Sequence, residues 1–116
     1  MSLSELTDAE LLAVAVPIMD NLMDASTQMD HERHVRDFTQ RARSMATKDQ
    51  FQRIAKELQR SNGDFDKRDL IGILRRPHSV VVVWKQSFTK APGEYLAELV
   101  LVEQEGRALV ERVVVV

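Results

Sequence analysis

The sequence predicts an α+β fold in which three N-terminal helices pack on one face of a curved antiparallel sheet of three to four strands. Three observations predict it. From residue 78 onward the chain reads HSVVVVWKQSFTKAPGEYLAELVLVEQEGRALVERVVVV, three runs rich in Val, Leu and aromatics split by the turn signals KAPG and EQEGR. That is the pattern of an antiparallel meander. The first half instead carries apolar residues at three- and four-residue spacing behind two capping-box sequences, Thr7-Asp8-Ala9-Glu10 and Thr47-Lys48-Asp49-Gln50, which mark helix starts. Finally, 116 residues with 44% hydrophobic content suit a single domain, 1–116, with one core.

Thr7 and Glu10 open the first helix, whose apolar face is Leu11, Leu12, Val14, Ala15, Ile18, Met19, Leu22 and Met23. Pro17 lies inside it, so a kink is expected there, or else two short helices. Asp30 is placed to cap a second helix over 31–45, with Val35, Phe38, Ala42 and Met45 inward. Thr47 caps the third, with Phe51, Ile54, Ala55 and Leu58 inward and Gly63 just past its end, where a left-handed residue commonly closes a helix. The stretch 70–74, Leu-Ile-Gly-Ile-Leu, reads as an extended segment with Gly72 at a bend or bulge, the alternative being a short helix.

Within the meander the strands are expected over 79–89, 94–103 and 107–116. Turn chemistry sets both registers. Ala91-Pro92-Gly93 suits a tight turn that places Phe88 opposite Tyr95, Lys85 opposite Glu98 and Trp84 opposite Leu99. A type I turn with Gly106 left-handed places Glu103 opposite Arg107 and Glu98 opposite Arg112. Side chains alternate between faces. One face therefore collects Val80, Val82, Trp84, Gln86, Phe88, Tyr95, Ala97, Leu99, Leu101, Leu109, Val113 and Val115, and is expected to take the helices. The other carries the charged row Lys85, Glu98 and Arg112 among Val81, Val83, Leu96, Val100, Val102, Val110 and Val114.

Composition excludes several functions. A net charge of −2 and a pI of about 5.9 give no basic footprint for nucleic acid. With no cysteine, disulfides, thiol catalysis and thiolate metal sites are ruled out. The apolar run 11–19 is too short to span a bilayer and has acidic rather than basic residues before it, so no membrane association is expected and a cytoplasmic location is the default.

The order of helices, extended segment and long meander, with the stretch GDFDKRDLIGILRRPHSVVVVWKQSFTKAPGEYLAELVLV, Trp84, Gly93-Glu94-Tyr95 and Glu105-Gly106-Arg107, resembles the nuclear transport factor 2-like superfamily, the cystatin-like α+β cone, in its small bacterial members of unassigned function. The resemblance covers most of the chain and is one of architecture. It implies a sheet wrapped over the helices with a pocket inside the cone, and a tendency to dimerise through the sheet. Some members are isomerases or dehydratases, and others bind ligands.

Three groups of residues invite a chemical reading. His31 and His34 stand three apart and share a helix face, but a zincin site needs His at i and i+4 with Glu beside the first. No metal and no cofactor are expected, and Asp30 and Glu32 read as complements to a helix N-terminus. Glu111 and Tyr95 sit on the apolar sheet face, where a carboxylate base and a phenol donor would resemble the outline of the superfamily's isomerases. They lie far apart along their strands, which is poor geometry for one small substrate, and Glu111 is better read as a margin residue reaching solvent or an Arg. Lys67, Arg68, Arg75 and Arg76 form a basic cluster on a strand, where charge blocks edge pairing.

The function expected is thus a homodimeric, non-catalytic binding module with a small apolar pocket between helices and sheet. Its lining would be Trp84, Gln86, Phe88, Tyr95, Leu99, Phe38 and Phe51, and the ligand a small apolar compound. The alternatives are an isomerase or dehydratase using a pocket carboxylate, and a purely structural interaction protein. The helices cover one sheet face only. That leaves Val83, Lys85, Leu96, Glu98, Val100, Val110 and Arg112 on the other, as the face for a second copy.

Overall fold

Thr7 starts the first helix in the way a capping box requires. In the computed structural model, which describes residues 2–116, the Thr7 hydroxyl accepts from the Glu10 amide at 3.1 Å and the Glu10 carboxylate accepts from the Thr7 amide at 2.9 Å. These two bonds hold the Glu10 carboxyl below the usual carboxylate range. A 3-10 turn, Leu3–Glu5, comes before it. The helix, α1 (Asp8–Thr27), runs unbroken through Pro17, whose ring is on the solvent side. The chain does not divide here into two short helices. At the far end the amides of Met29 and Asp30 donate back to Ser26 and Ala25, a Schellman closure with Met29 at φ 55 in the position where glycine is usual.

The segment 31–45 is not one helix but two, α2 (His31–His34) and α3 (Gln40–Met45). Between them Phe38 forms a parallel bridge with Val110. The Thr39 amide donates to the Val110 carbonyl, and the Val110 amide donates to that of Asp37. Two backbone hydrogen bonds to the sheet and burial of Phe38 outweigh continuing the helix. Thr39 then caps α3 by accepting from the Ala42 amide. Thr47 caps α4 (Lys48–Asn62), which ends at Gly63.

The four strands run antiparallel in chain order: β1 (Phe65–Arg75), β2 (Val80–Phe88), β3 (Tyr95–Gln104) and β4 (Arg107–Val115). Residues 70–74 are strand, and the register of β1 slips at Ile71, next to Gly72.

Both hairpins differ from the turn-based registers. Gln86 faces Tyr95, and Lys85 faces Leu96, two residues away from the expected pairing. The reason lies in the loop: the amides of Thr89, Lys90 and Ala91 donate to Asp64 and Asn62, so the end of β2 stays with β1 and α4 while β3 begins later. A slip of two residues keeps every side chain on its face. In the second hairpin Glu105 and Gly106 both have positive φ and Gln104 faces Arg107, a two-residue turn of the I′ kind. The shifts break the expected row of Lys85, Glu98 and Arg112: Lys85 pairs with Glu94 at 2.8 Å instead of Glu98, and Arg112 keeps Glu98 only as a diagonal neighbour at 3.9 Å.

One correction follows from a bulge in β4. The register shifts between Val100 and Leu101, so that Val110 faces Leu101 but Arg112 faces Val100, with Glu111 extra. Alternation reverses before the bulge. Val110 is fully buried in the core, not on the outer face, and Leu109, opposite Val102, takes the outer position instead.

The core joins Leu11, Ala15, Met19 and Leu22 of α1 to Val80, Val82, Trp84, Ala97, Leu99, Leu101 and Val110 of the sheet. Among the described residues no helix is long and apolar enough to cross a membrane.

Candidate functional site

The helix α4 is strongly two-sided, yet only Phe51 and Ala55 of its apolar stripe are buried, while Ile54 is 60% exposed. It packs against α1 and α2 and stands over the end of the sheet. Below it a cavity of about 310 Å³ remains. Its walls are Met23 and Ser26 of α1, His34 of α2, Met45 and Ala46, the α4 residues Gln50, Phe51, Ile54, Ala55 and Leu58, Phe65 at the start of β1, and Val113–Val115 at the end of β4. The small Ala46 and Ala55 leave the space, and the ends of β1 and β4 close its floor.

Among the described residues His34 is the one ionisable side chain in this lining. Its ring stacks on Phe51 at 4.5 Å and meets Phe38 edge-on at 5.3 Å. Burial, helped by the nearby His31 and opposed by a hydrogen bond with the Leu22 backbone, holds it down to about 4, so it is neutral at physiological pH. Its Nδ1 is buried with no hydrogen-bond partner. His31 turns the other way, with Nε2 at 2.6 Å from the Ala46 carbonyl. Among the described residues no group of three or more His, Asp or Glu side chains is arranged to hold a metal.

Of the residues expected to line a pocket, only Phe51 does. Trp84, Leu99 and Phe38 are packed in the core, because α1 lies directly on that part of the sheet. Phe88 is buried between Phe65 and Tyr95, with ring centroids 5.0 and 5.1 Å away. Gln86 is fully buried, and its Nε2 donates to the carbonyls of Lys67 and Ser87 at 3.2 and 2.9 Å. It thereby satisfies backbone freed by the β1 irregularity between Phe65 and Arg68.

The candidate acid–base pair is not brought together. The Tyr95 hydroxyl donates to the Pro92 carbonyl. Glu111, on the β4 bulge, pairs with Arg41 of α3. Five residues of strand, about 17 Å, separate Tyr95 from the level of Glu111. Arg68 of the basic cluster turns inward, over the Trp84 ring at 5.3 Å and paired with Asp20, and Arg75 pairs with Asp8.

On the opposite sheet face Val83 and Glu98 are half-buried, Leu96 is 39% exposed, and Lys85 and Arg112 are exposed. Val81 and Val100 on this face are also buried, outside the main core cluster.

No protein-family model matches this chain, and no curated protein matches it. Solved structures resemble it in fold. One is a SEC-C motif containing protein from Rhodopseudomonas palustris, with a TM-score of 0.58, 14% identity, and 90% of this chain and 91% of that one covered. Another is an NTF-2-like protein of unknown function from Shewanella oneidensis, with a TM-score of 0.55, 10% identity, and coverages of 89% and 96%. A third is the Bd1075 protein of Bdellovibrio bacteriovorus, with a TM-score of 0.58 and 11% identity, where this chain spans 44% of the length. At these identities the likeness is one of fold.

Proposed function

We propose that this chain is a homodimeric, non-catalytic binding module of the nuclear transport factor 2-like kind, whose cavity under α4 takes a small apolar ligand. The observation that carries it is the cavity itself. Its volume of about 310 Å³ lies at the lower end of the range for ligand sites, which are mostly apolar with a few placed polar groups. The lining holds no carboxylate and no phenol, which favours binding over proton transfer by Glu111 and Tyr95. The fold likeness to the Shewanella protein supports the nuclear transport factor 2-like reading, and a cytoplasmic location goes with it.

A thermal-shift screen with small apolar compounds tests the pocket. A ligand present at a hundred times its dissociation constant stabilises by about 2.7 kcal/mol, and Ala55→Phe, which fills the space, removes the shift. If no compound raises the melting temperature, the pocket reading fails.

The proposed second copy would sit on the outer sheet face. Leu96 of β3 and Leu74 of β1 are 39% and 56% exposed there, and Val83 and Val102 are half-buried on the same face, apolar side chains outside the core that the helices cover. An isologous contact would need to bury at least about 1,200 Å² in total. Light scattering at micromolar concentration decides it: a mass near twice 13.2 kDa, halved by the surface change Leu96→Lys, is expected, and 13.2 kDa for the unaltered chain rules the dimer out.

A further inference from the structure

We infer that the cavity under α4 selects a small uncharged ligand, an apolar body ending in a single hydroxyl or amide. This rests on the reading of the cavity as a binding site and adds the chemical class of what fills it. Size comes from the volume, about 310 Å³, the lower end of the range for small-molecule sites. Charge comes from the lining, in which no Asp, Glu, Lys or Arg takes part. The charged residues of α4, Lys48, Asp49, Arg53, Lys56, Glu57 and Arg60, are all exposed. An ionised group carried into such a space loses its hydration and meets no counter-charge.

The lining residues with polar side chains are Ser26, Gln50 and His34, none of which carries a charge at neutral pH. His34 adds none because its ring is pressed between Phe38 and Phe51 and its Nδ1 is closed off from protein partners and from water. A proton there would have no acceptor. Ser26 and Gln50 are the uncharged polar residues of the lining that suit one uncharged polar end group, while Phe51, Phe65 and the valines at the end of β4 suit the apolar body.

One competing arrangement is defined by the surface. A groove outside the cavity shares Gln50, Ile54 and Leu58 with it and brings Arg53 and Glu57 to the rim. An amphiphilic anion would bind only by leaving its carboxylate at that rim beside Arg53.

The test is a matched set of probes, 1-octanol, octanamide, octanoate and octylammonium, titrated into the full chain at pH 7 by calorimetry. Methyl NMR of Val113 and Val115 locates each bound probe without any substitution. The expected result is binding of the alcohol and the amide at least about tenfold tighter than either ion, with ligand contacts to both valines. Octanoate binding as tightly as octanol, and losing affinity in Arg53→Gln, would overturn the inference while leaving the pocket in place. Octylammonium binding as tightly as octanol would overturn it too. Binding of any probe away from Val113 and Val115, or of none, would overturn both the inference and the function on which it rests.

Discussion

A methyl group on Gly63 would lie 2.4 Å from the Thr89 hydroxyl oxygen. That hydroxyl accepts from the Asp64 amide, and the amides after it reach back to Asp64 and Asn62, so the end of α4 is stitched to the end of β2 at this point. Gly63 also has φ 80. Gly63→Ala combines backbone strain with a clash into a hydrogen-bonded group, and a loss of more than about 2 kcal/mol is expected. Urea denaturation measures it; a midpoint like that of the parent chain would show that α4 and β2 can separate freely.

Trp84 joins the sheet to α1 and carries a cation on its face. It is 3% exposed, and Arg68, held by Asp20, covers the ring. Trp84→Ala is expected to lower stability by about 3–5 kcal/mol, and Asp20→Asn by less than about 1 kcal/mol, because Asp20 is mostly exposed. Chemical denaturation of the two variants checks the order; a small effect at Trp84 would contradict its place in the core.

Acid should weaken the fold through His34. Its folded value of about 4 lies below the ordinary 6.5, so between those two values the unfolded chain takes up a proton that the folded chain refuses. Stability from this group is fully present above pH 6.5 and falls as the pH drops towards 4, by about 3 kcal/mol in all. Other groups titrate in the same range, so the measurement is the difference between the parent and His34→Phe in denaturation series at pH 7, 5.5 and 4.5. The variant should lose less than the parent on acidification, and parallel curves would refute the assignment.

Among the described residues two with side chains occupy left-handed positions that favour glycine or asparagine. Met29 closes α1 at φ 55, and Glu105 is the first residue of the β3–β4 turn at φ 53. Met29→Gly and Glu105→Asn each relieve that conformation and are expected to raise stability by about 0.5–1 kcal/mol. Thermal melts of each variant and of the double variant provide the check, with additive gains expected because the sites share no partner.

The faces of the sheet were legible because alternation survives an even slip: Trp84, Leu99 and Val82 turned inward although the β2–β3 pairing sat two residues from where the turn suggested. The bulge at Glu111 was not legible, since nothing local in ALVERV marks an extra residue, and it exchanged Leu109 and Val110. The break after His34 depends on Val110, 72 residues beyond Phe38 in the chain, and no short-range pattern reports such a partner. The cavity escaped for a related reason. It lies where α4 overhangs the end of the sheet, and periodicity shows which side chains face inward but not which stretch of that face the helices leave uncovered.

The bridge between Phe38 and Val110 also decides what a stray strand can do to this molecule. On the β4 side the middle of the edge is occupied by that bridge, with Arg41–Glu111 and Arg107–Asp37 on either side of it. On the β1 side no strand lies beyond it among the described residues. In the language of polymer chemistry the two ends of each copy differ in reactivity: the β1 edge is open, while the β4 edge is capped at its middle. Should two copies meet through their β1 edges, a third copy finds that cap in the way on either side, and growth into a fibre is hindered at two.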